Sequence, residues 1–259
     1  CSLFWLHSAA MAQCRGVTKS GKRCSITASC ALINDAGRLA AEPLKRGGDY
    51  CLFHAHCFCT RPVALDESTP VVVFMLDLES TGVNIGRDYI CEIAVAHCPL
   101  NPRFHGGSFC TTVRVNAETL RQEASRAAAE IHGISDEEIL AGMEFARAWQ
   151  LLVAWVEDIV NTAVTEGEEA EEEDSPRPPR LSAERPLVLL AGHNSFKFDF
   201  PFLIFECLRH NVSCECMQDW LFADTLHVFQ ALQCHGCRKL QCLVRVWGSE
   251  ADLRAHRAL

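Results

Sequence analysis

The feature that most constrains the fold is a set of short apolar runs in the second part of the chain. Val71–Leu76 is an unbroken apolar run, which is typical of a strand buried on both faces. Further strands are expected at 90–96, 110–115, 186–191 and 220–223, with helical stretches after the third. Three strands followed by helices, and then alternating strands and helices, predict an α/β sheet protein.

Helices are predicted from apolar spacing and from proline. Steps of three and four indicate one apolar stripe on a long helix, formed by Phe145, Trp149, Leu152, Val156 and Ile159. A second helix is expected to begin at Asp199, with Pro201 in its first turn, and further helical segments at 224–232 and 239–258. No apolar run exceeds six residues, against about 20 for a membrane-spanning helix, so no membrane association is expected.

The amino-terminal part of the chain has a different composition. Residues 1–60 carry seven Lys or Arg against three Asp or Glu, although the whole chain has a net charge of −9. Residues 11–60 are rich in Cys, His and Gly and lack a long apolar period, which favours a small metal-stapled module. Residues 1–10 are an uncertain leader, and 61–70, with two prolines, are the expected linker.

Four residues of this module are candidate ligands of one structural zinc ion. Two cysteines followed by a Cys-x-x-His pair supply the sulfur and imidazole ligands of a tetrahedral site, namely Cys14, Cys24, Cys51 and His54. Other residues that could compete as ligands are Cys30, His56, Cys57 and Cys59. The alternative is a disordered basic arm with free thiols. If the module folds, its basic side chains could contact nucleic-acid phosphates without any preference for sequence.

The cysteine content indicates the redox environment of the protein. The chain has 16 cysteines, mostly in apolar contexts, which indicates a reducing compartment such as the nucleus or cytoplasm. A second zinc at Cys214, Cys216, Cys234 and Cys237 is a weaker alternative to a structural role.

Residues 165–180 are acidic and proline-rich, so a solvated insertion without packed structure is expected; it could serve as an interaction loop for a protein partner.

The candidate chemistry lies in acidic residues that follow apolar runs. Asp77 and Glu79 are at positions i and i+2, so on a strand they project from one face. Two carboxylates side by side repel each other unless a cation lies between them, and Mg²⁺ or Mn²⁺ suits such an oxygen site. The alternative is a pair of solvated acids at a strand end. Asp199 follows another apolar run and could equally be a helix N-cap.

Several spaced segments together resemble the DEDDh 3′–5′ exonucleases of the ribonuclease-H-like fold. Asp77-Leu-Glu-Ser-Thr-Gly82 is similar to the first motif, with serine where threonine is usual, and Gly192-His-Asn-Ser-Phe-Lys-Phe-Asp199 to the second. Ala255-His-Arg-Ala-Leu259 is similar to the start of the third, and Ile131–Ser135 and Phe222–Leu226 to two recurrent segments. The three-prime repair exonucleases are the nearest subfamily. The resemblance covers residues 71–259, and it implies a mixed sheet flanked by helices.

The resemblance also implies a role for each matching residue. Asp77 would bridge two Mg²⁺ or Mn²⁺ ions, Glu79 would bind the ion that activates water, and Asp199 would hold the second ion. His256 would be the general base. Contacts to the terminal nucleotide are implied for Ser80, Thr81, Gly82 and Asn194.

One departure from the family pattern concerns the end of the third motif. The family has an aspartate five residues after the histidine, a position that lies beyond Leu259, so we expect a carboxy-terminally truncated exonuclease domain over 71–259. The expected function is metal-dependent removal of nucleoside monophosphates from nucleic acid with a free 3′ end, DNA or RNA. The alternative is a nucleic-acid-binding protein with an inactive exonuclease fold.

Overall fold

The structure is a computed structural model that describes Lys22 and residues 69–99, 106–169 and 185–232. The predicted zinc module at 11–60 is therefore outside the described residues, apart from Lys22. The same is true of most of the expected linker and of the predicted helix at 239–258. No helix in the described part of the chain is both long and apolar enough to cross a membrane.

A five-stranded mixed sheet forms the centre of the described fold. Its strands are β1 (Val71–Ser80), β2 (Ile90–Cys98), β3 (Ser108–Thr112), β4 (Leu187–Gly192) and β5 (Leu221–Asp224), in the spatial order β3-β2-β1-β4-β5. β1, β2 and β3 pair antiparallel, whereas β4 runs parallel to β1 and β5 parallel to β4. The prediction of a mixed sheet flanked by helices is confirmed, whereas the finer prediction of a ribonuclease-H-like fold stays a prediction.

The central strand β1 differs in one respect from the expectation of burial on both faces. Val72, Phe74, Leu76 and Leu78 are buried, while the alternate side chains, including Met75, are only half-buried. The physical reason is that the second face carries Asp77 and Glu79, so the described residues bury one face of β1 fully and the other partly. The predicted strand also ends too early, because β1 continues through both acids to Ser80.

Helices are inserted between β3 and β4 and follow each of the last two strands. They are α1 (Ala117–Leu120), α2 (Glu123–His132), α3 (Asp136–Ala141), α4 (Phe145–Glu169), α5 (Asp199–Arg209) and α6 (Thr225–Ala231), with a 3-10 helix at Glu215–Gln218. The junction between α2 and α3 follows local rules. Gly133 ends α2 with φ 69°, and Ser135 begins α3 with a capping box to Glu138.

The predicted apolar stripe of α4 packs into the main core. Trp149, Leu152 and Val156 join Phe74 of β1 and Leu203 of α5 in one buried cluster. Burial of each such side chain contributes about 1.5–3 kcal/mol. α4 extends to Glu169, so the prediction of an unstructured segment from 165 is wrong over its first five residues. Glutamate is a good helix former, and extending an existing helix costs far less than starting one.

Candidate functional site

Asp77 and Glu79 lie on one face of β1, as their spacing predicts. Both side chains are half-buried. Across the antiparallel pair, Asp77 is opposite Ala94 and Glu79 is opposite Glu92. The alternative of two fully solvated acids does not describe these positions, because burial is the largest cause of the raised pKa of each carboxyl.

Asp199 is the first residue of α5 and is only 5% exposed. The N-cap of the helix is Phe198, which makes no side-chain capping bond. The alternative that Asp199 acts as an N-cap is therefore wrong. Its carboxyl group is buried at the beginning of the helix, where the unpaired N–H groups of the first turn favour a negative charge.

The three carboxylates are close enough to act on one another. Burial raises the pKa of Glu79 to about 7, with further contributions from the charges of Asp77, Glu92 and Asp199. Burial also raises the pKa of Asp199 to about 7, and the charge of Asp77 adds to it. The backbone N–H of Leu78 lowers the pKa of both Asp77 and Asp199, so it lies near both carboxyl groups.

This donor set fits a hard divalent cation. Carboxylate oxygens are the ligands that Mg²⁺ and Mn²⁺ prefer, and the mutual repulsion that raises the pKa of Glu79 is relieved by a positive charge between the carboxylates. Within residues 69–99, 106–169 and 185–232, no three His, Cys, Asp or Glu side chains already form a coordinating group.

The turn after β1 uses the hydroxyls of Ser80 and Thr81 internally. Ser80 Oγ donates to the carbonyl of Gly82 at 2.7 Å, and Thr81 Oγ1 accepts from the N–H of Tyr89 at 2.9 Å. Gly82 has φ 157°, and a Cβ there would lie 2.7 Å from Cγ of Asp88. Glycine is therefore required at this position. The predicted role of these residues in nucleotide binding stays a prediction.

The turn between β4 and α5 is held by Asp224, the last residue of β5. Its carboxylate is 2% exposed and accepts the backbone N–H groups of Asn194 at 2.8 Å, Phe196 at 3.1 Å and Leu226 at 2.9 Å. Asn194 is half-buried with φ 61°, in the left-handed region that asparagine tolerates. Asp224 thus fixes the segment that leads directly into Asp199.

Two acidic residues of this region were not found as site residues from the sequence. Glu92 lies in an apolar strand, where the only available signal was one charge among Ile, Ala and Val. Asp224 belongs to the Phe222–Leu226 segment, which was recognised only as a resemblance without a role. Glu92 was identified by its pairing with Glu79 across β1 and β2, and Asp224 by its hydrogen bonds to the turn after β4.

The other predicted site residues lie outside the described residues. This holds for His256 and for the four proposed zinc ligands, Cys14, Cys24, Cys51 and His54. Of the weaker second zinc cluster, Cys234 and Cys237 are likewise outside, whereas Cys214 and Cys216 are described. The six described cysteines are thiols and form no disulfide with one another.

Comparison with known proteins gives matches among solved structures. The sequence matches no protein-family model and no curated protein. Three exonuclease I structures each share 18% identity and a TM-score of 0.49 with this chain. Two are E. coli complexes, one zinc-bound with single-stranded DNA and one with a dA16 oligonucleotide, and the third is a structure of exonuclease I that suggests how processivity is achieved. Each match covers 73% of this chain but only 37–38% of exonuclease I.

Proposed function

We propose that this protein is a metal-dependent 3′–5′ exonuclease, which hydrolyses phosphodiester bonds at 3′ ends and releases nucleoside monophosphates. The observation that carries the proposal is that Asp77 and Glu79 of β1 lie close enough to Asp199 of α5 for their charges to interact. Each of the three carboxyl groups has a pKa raised by burial. Clustered groups with perturbed pKa values are typical of functional sites.

In this proposal the carboxylates hold two divalent cations. Asp77 would contribute to both, Glu79 would hold the ion that activates water, and Asp199 would hold the other. When bound, two such ions stabilise the attacking and leaving oxygens of an in-line phosphoryl displacement. The backbone amide of Leu78 lies near the carboxyl groups of both Asp77 and Asp199, and α5 begins at Asp199.

His256 is proposed to accept the proton of the attacking water. A neutral imidazole suits this step because its ordinary pKa is about 6.5. Removing His256 should therefore lower turnover far more than it weakens substrate binding.

The proposed substrate is a nucleic acid with a free 3′ end. The turn formed by Ser80, Thr81 and Gly82 and the turn that contains Asn194 both adjoin the carboxylates in the sequence. We assign them the contacts to the terminal nucleotide. The same phosphodiester is attacked in DNA and in RNA, so the carboxylates act alike on both.

The remaining expectations concern the rest of the chain. We propose that residues 11–60 hold one structural Zn²⁺ through Cys14, Cys24, Cys51 and His54, and that their basic side chains add phosphate contacts. The acidic segment 165–180 is proposed as a contact for a protein partner. The thiol state of the described cysteines is consistent with a reducing compartment, the nucleus or cytoplasm.

The test is a degradation assay with the full-length protein and an oligonucleotide labelled at its 5′ end. With Mg²⁺ we expect a ladder of labelled products that shorten one nucleotide at a time, and with EDTA we expect none. Blocking the 3′ end should also prevent shortening. Binding of the oligonucleotide without any Mg²⁺-dependent shortening would support the inactive nucleic-acid-binding alternative instead.

A further inference from the structure

A fourth acidic residue, Glu92, lies directly across from Glu79. The two are Cα partners in the antiparallel pair of β1 and β2, and directly opposed residues project from the same face of a sheet. Glu92 is 8% exposed. The register shifts immediately after Glu79, so this pair occupies the last regular position of the β1–β2 ladder, next to the turn that follows β1.

Two like charges at such positions are unfavourable. Side chains of directly opposed residues have Cβ atoms about 4.5–5.5 Å apart, and like charges there destabilise the pair. The charges that act on Glu79 include those of three acidic residues, Asp77, Glu92 and Asp199. The thiol of Cys110 on β3 contacts the carboxyl group of Glu92, but a neutral thiol does not offset a negative charge.

A buried hydroxyl lies beside these carboxylates. Ser195 is fully buried, and its hydroxyl faces the carboxyl group of Asp199 closely enough to lower the pKa of that group. Buried hydroxyls normally have a hydrogen-bond partner, and Asp199 is the partner at this position, so Ser195 helps to hold the Asp199 side chain beside Asp77 and Glu79.

We propose that Glu92 is a positioning residue of the carboxylate site, which directs the Glu79 carboxylate toward a bound divalent cation through repulsion across the β1–β2 pair. Glu92 acts through Glu79, because its own position is on the neighbouring strand. The charge of Glu92 lowers the stability of the metal-free protein and strengthens cation binding. This inference rests on the proposed function, since it requires a cation at Asp77, Glu79 and Asp199.

The test uses the opposite effects of the Glu92 charge on the stability of the metal-free protein and on cation binding. In Glu92→Gln the side chain keeps its size and loses its charge. We expect the midpoint of thermal unfolding without metal to rise, and the Kd for Mn²⁺, measured by calorimetry on the full-length protein, to weaken about tenfold, as for other residues that support metal ligands. If Glu92 acted only by packing, the substitution would not raise the unfolding midpoint of the metal-free protein and at the same time weaken Mn²⁺ binding.

Three further variants make the outcome decisive. Glu137→Gln removes the same charge from an exposed position of α3 and should change neither quantity. Glu92→Asp keeps the charge and should retain Mn²⁺ affinity more closely than Glu92→Gln does. Asp77→Asn removes a proposed ligand and should abolish Mn²⁺ binding.

Several results would overturn the proposal. If Asp77→Asn loses Mn²⁺ while Glu92→Gln binds it within about twofold of the parent, the role of Glu92 is wrong and the proposed site stands. If both variants bind Mn²⁺ normally, the proposed metal site is itself wrong. If Glu92→Gln fails to fold, the proposal is also contradicted, because it holds that this charge weakens the metal-free fold.

Discussion

Asp199 and Asp77 face the same backbone amide, that of Leu78. The relationship follows from the parallel pairing of β1 and β4, which ends at Met75 and Ala191. Because parallel strands end at the same edge of the sheet, the chain leaves β4 beside Asp77 and turns into α5 at Asp199. The six-residue turn between Gly192 and Asp199 therefore determines whether Asp199 lies beside Asp77 and Glu79.

The stability of the metal-free protein should respond to pH through Glu79 and Asp199. Both have a pKa of about 7 in the fold, against ordinary values of 4.5 and 3.8. Between these values the folded state retains protons that the unfolded chain has released, so a rise in pH favours unfolding. Relative to the parent, Asp199→Asn should therefore become progressively more stable from about pH 4 to 7. Urea unfolding in EDTA measures this, and a difference that does not change with pH would contradict the prediction.

Replacing Asp224 should loosen the turn that leads into Asp199. Asp224→Ala leaves the N–H groups of Asn194 and Phe196 without their acceptor. Each buried donor left unsatisfied costs about 1–3 kcal/mol, so the free energy of unfolding should fall by about 3 kcal/mol. The exposed Asp219 provides the control, and Asp219→Ala should stay within about 0.5 kcal/mol of the parent. Equal urea midpoints for the two variants would show that Asp224 does not hold this turn.

The close approach of β4 to β1 should not tolerate a methyl group at Gly192. A Cβ there would lie 2.9 Å from the carbonyl oxygen of Leu76 and would overlap the side chain of Ser195. Overpacking of this kind costs about 1–3 kcal/mol, and we expect Gly192→Ala to lose that much stability in urea unfolding. At Gly107 the same Cβ would make ordinary contact with Trp155 at 3.7 Å, so Gly107→Ala is the control. A Gly192→Ala variant as stable as this control would be inconsistent with the packing described.

The amino-terminal module should carry one zinc ion per chain. Cys51→Ser should release the zinc and unfold residues 11–60 while the sheet domain keeps its own unfolding transition. Metal binding in zinc-finger peptides provides about 10–16 kcal/mol of folding free energy, so the effect should be complete. Elemental analysis of freshly purified protein provides the measurement, and absence of zinc from the parent would exclude the module as proposed.

The sequence predicted the strands well because buried strands have continuous or alternating apolar patterns. It also placed Asp77 and Glu79 on one face, since that follows from the period of a strand alone. It did not predict the partner of Glu79, because register between β1 and β2 is set by pairing across a turn. For the same reason the role of Asp224 could not be inferred, as two of its three hydrogen bonds, to Asn194 and Phe196, join segments far apart in the chain. The end of α4 was misplaced because composition suggests disorder where a preceding helix can still extend.

The most direct test of the central claim compares three single substitutions in the full-length protein. Asp77→Asn and Asp199→Asn each remove one charge from the proposed site, while Asp219→Asn removes one from an exposed position. The rate of Mg²⁺-dependent shortening of a 5′-labelled oligonucleotide is measured for each, with circular dichroism to check folding. We predict that the first two lose more than the roughly 10–100-fold typical of residues that only support a metal site, and that Asp219→Asn matches the parent. Parental rates for Asp77→Asn or Asp199→Asn would contradict the account.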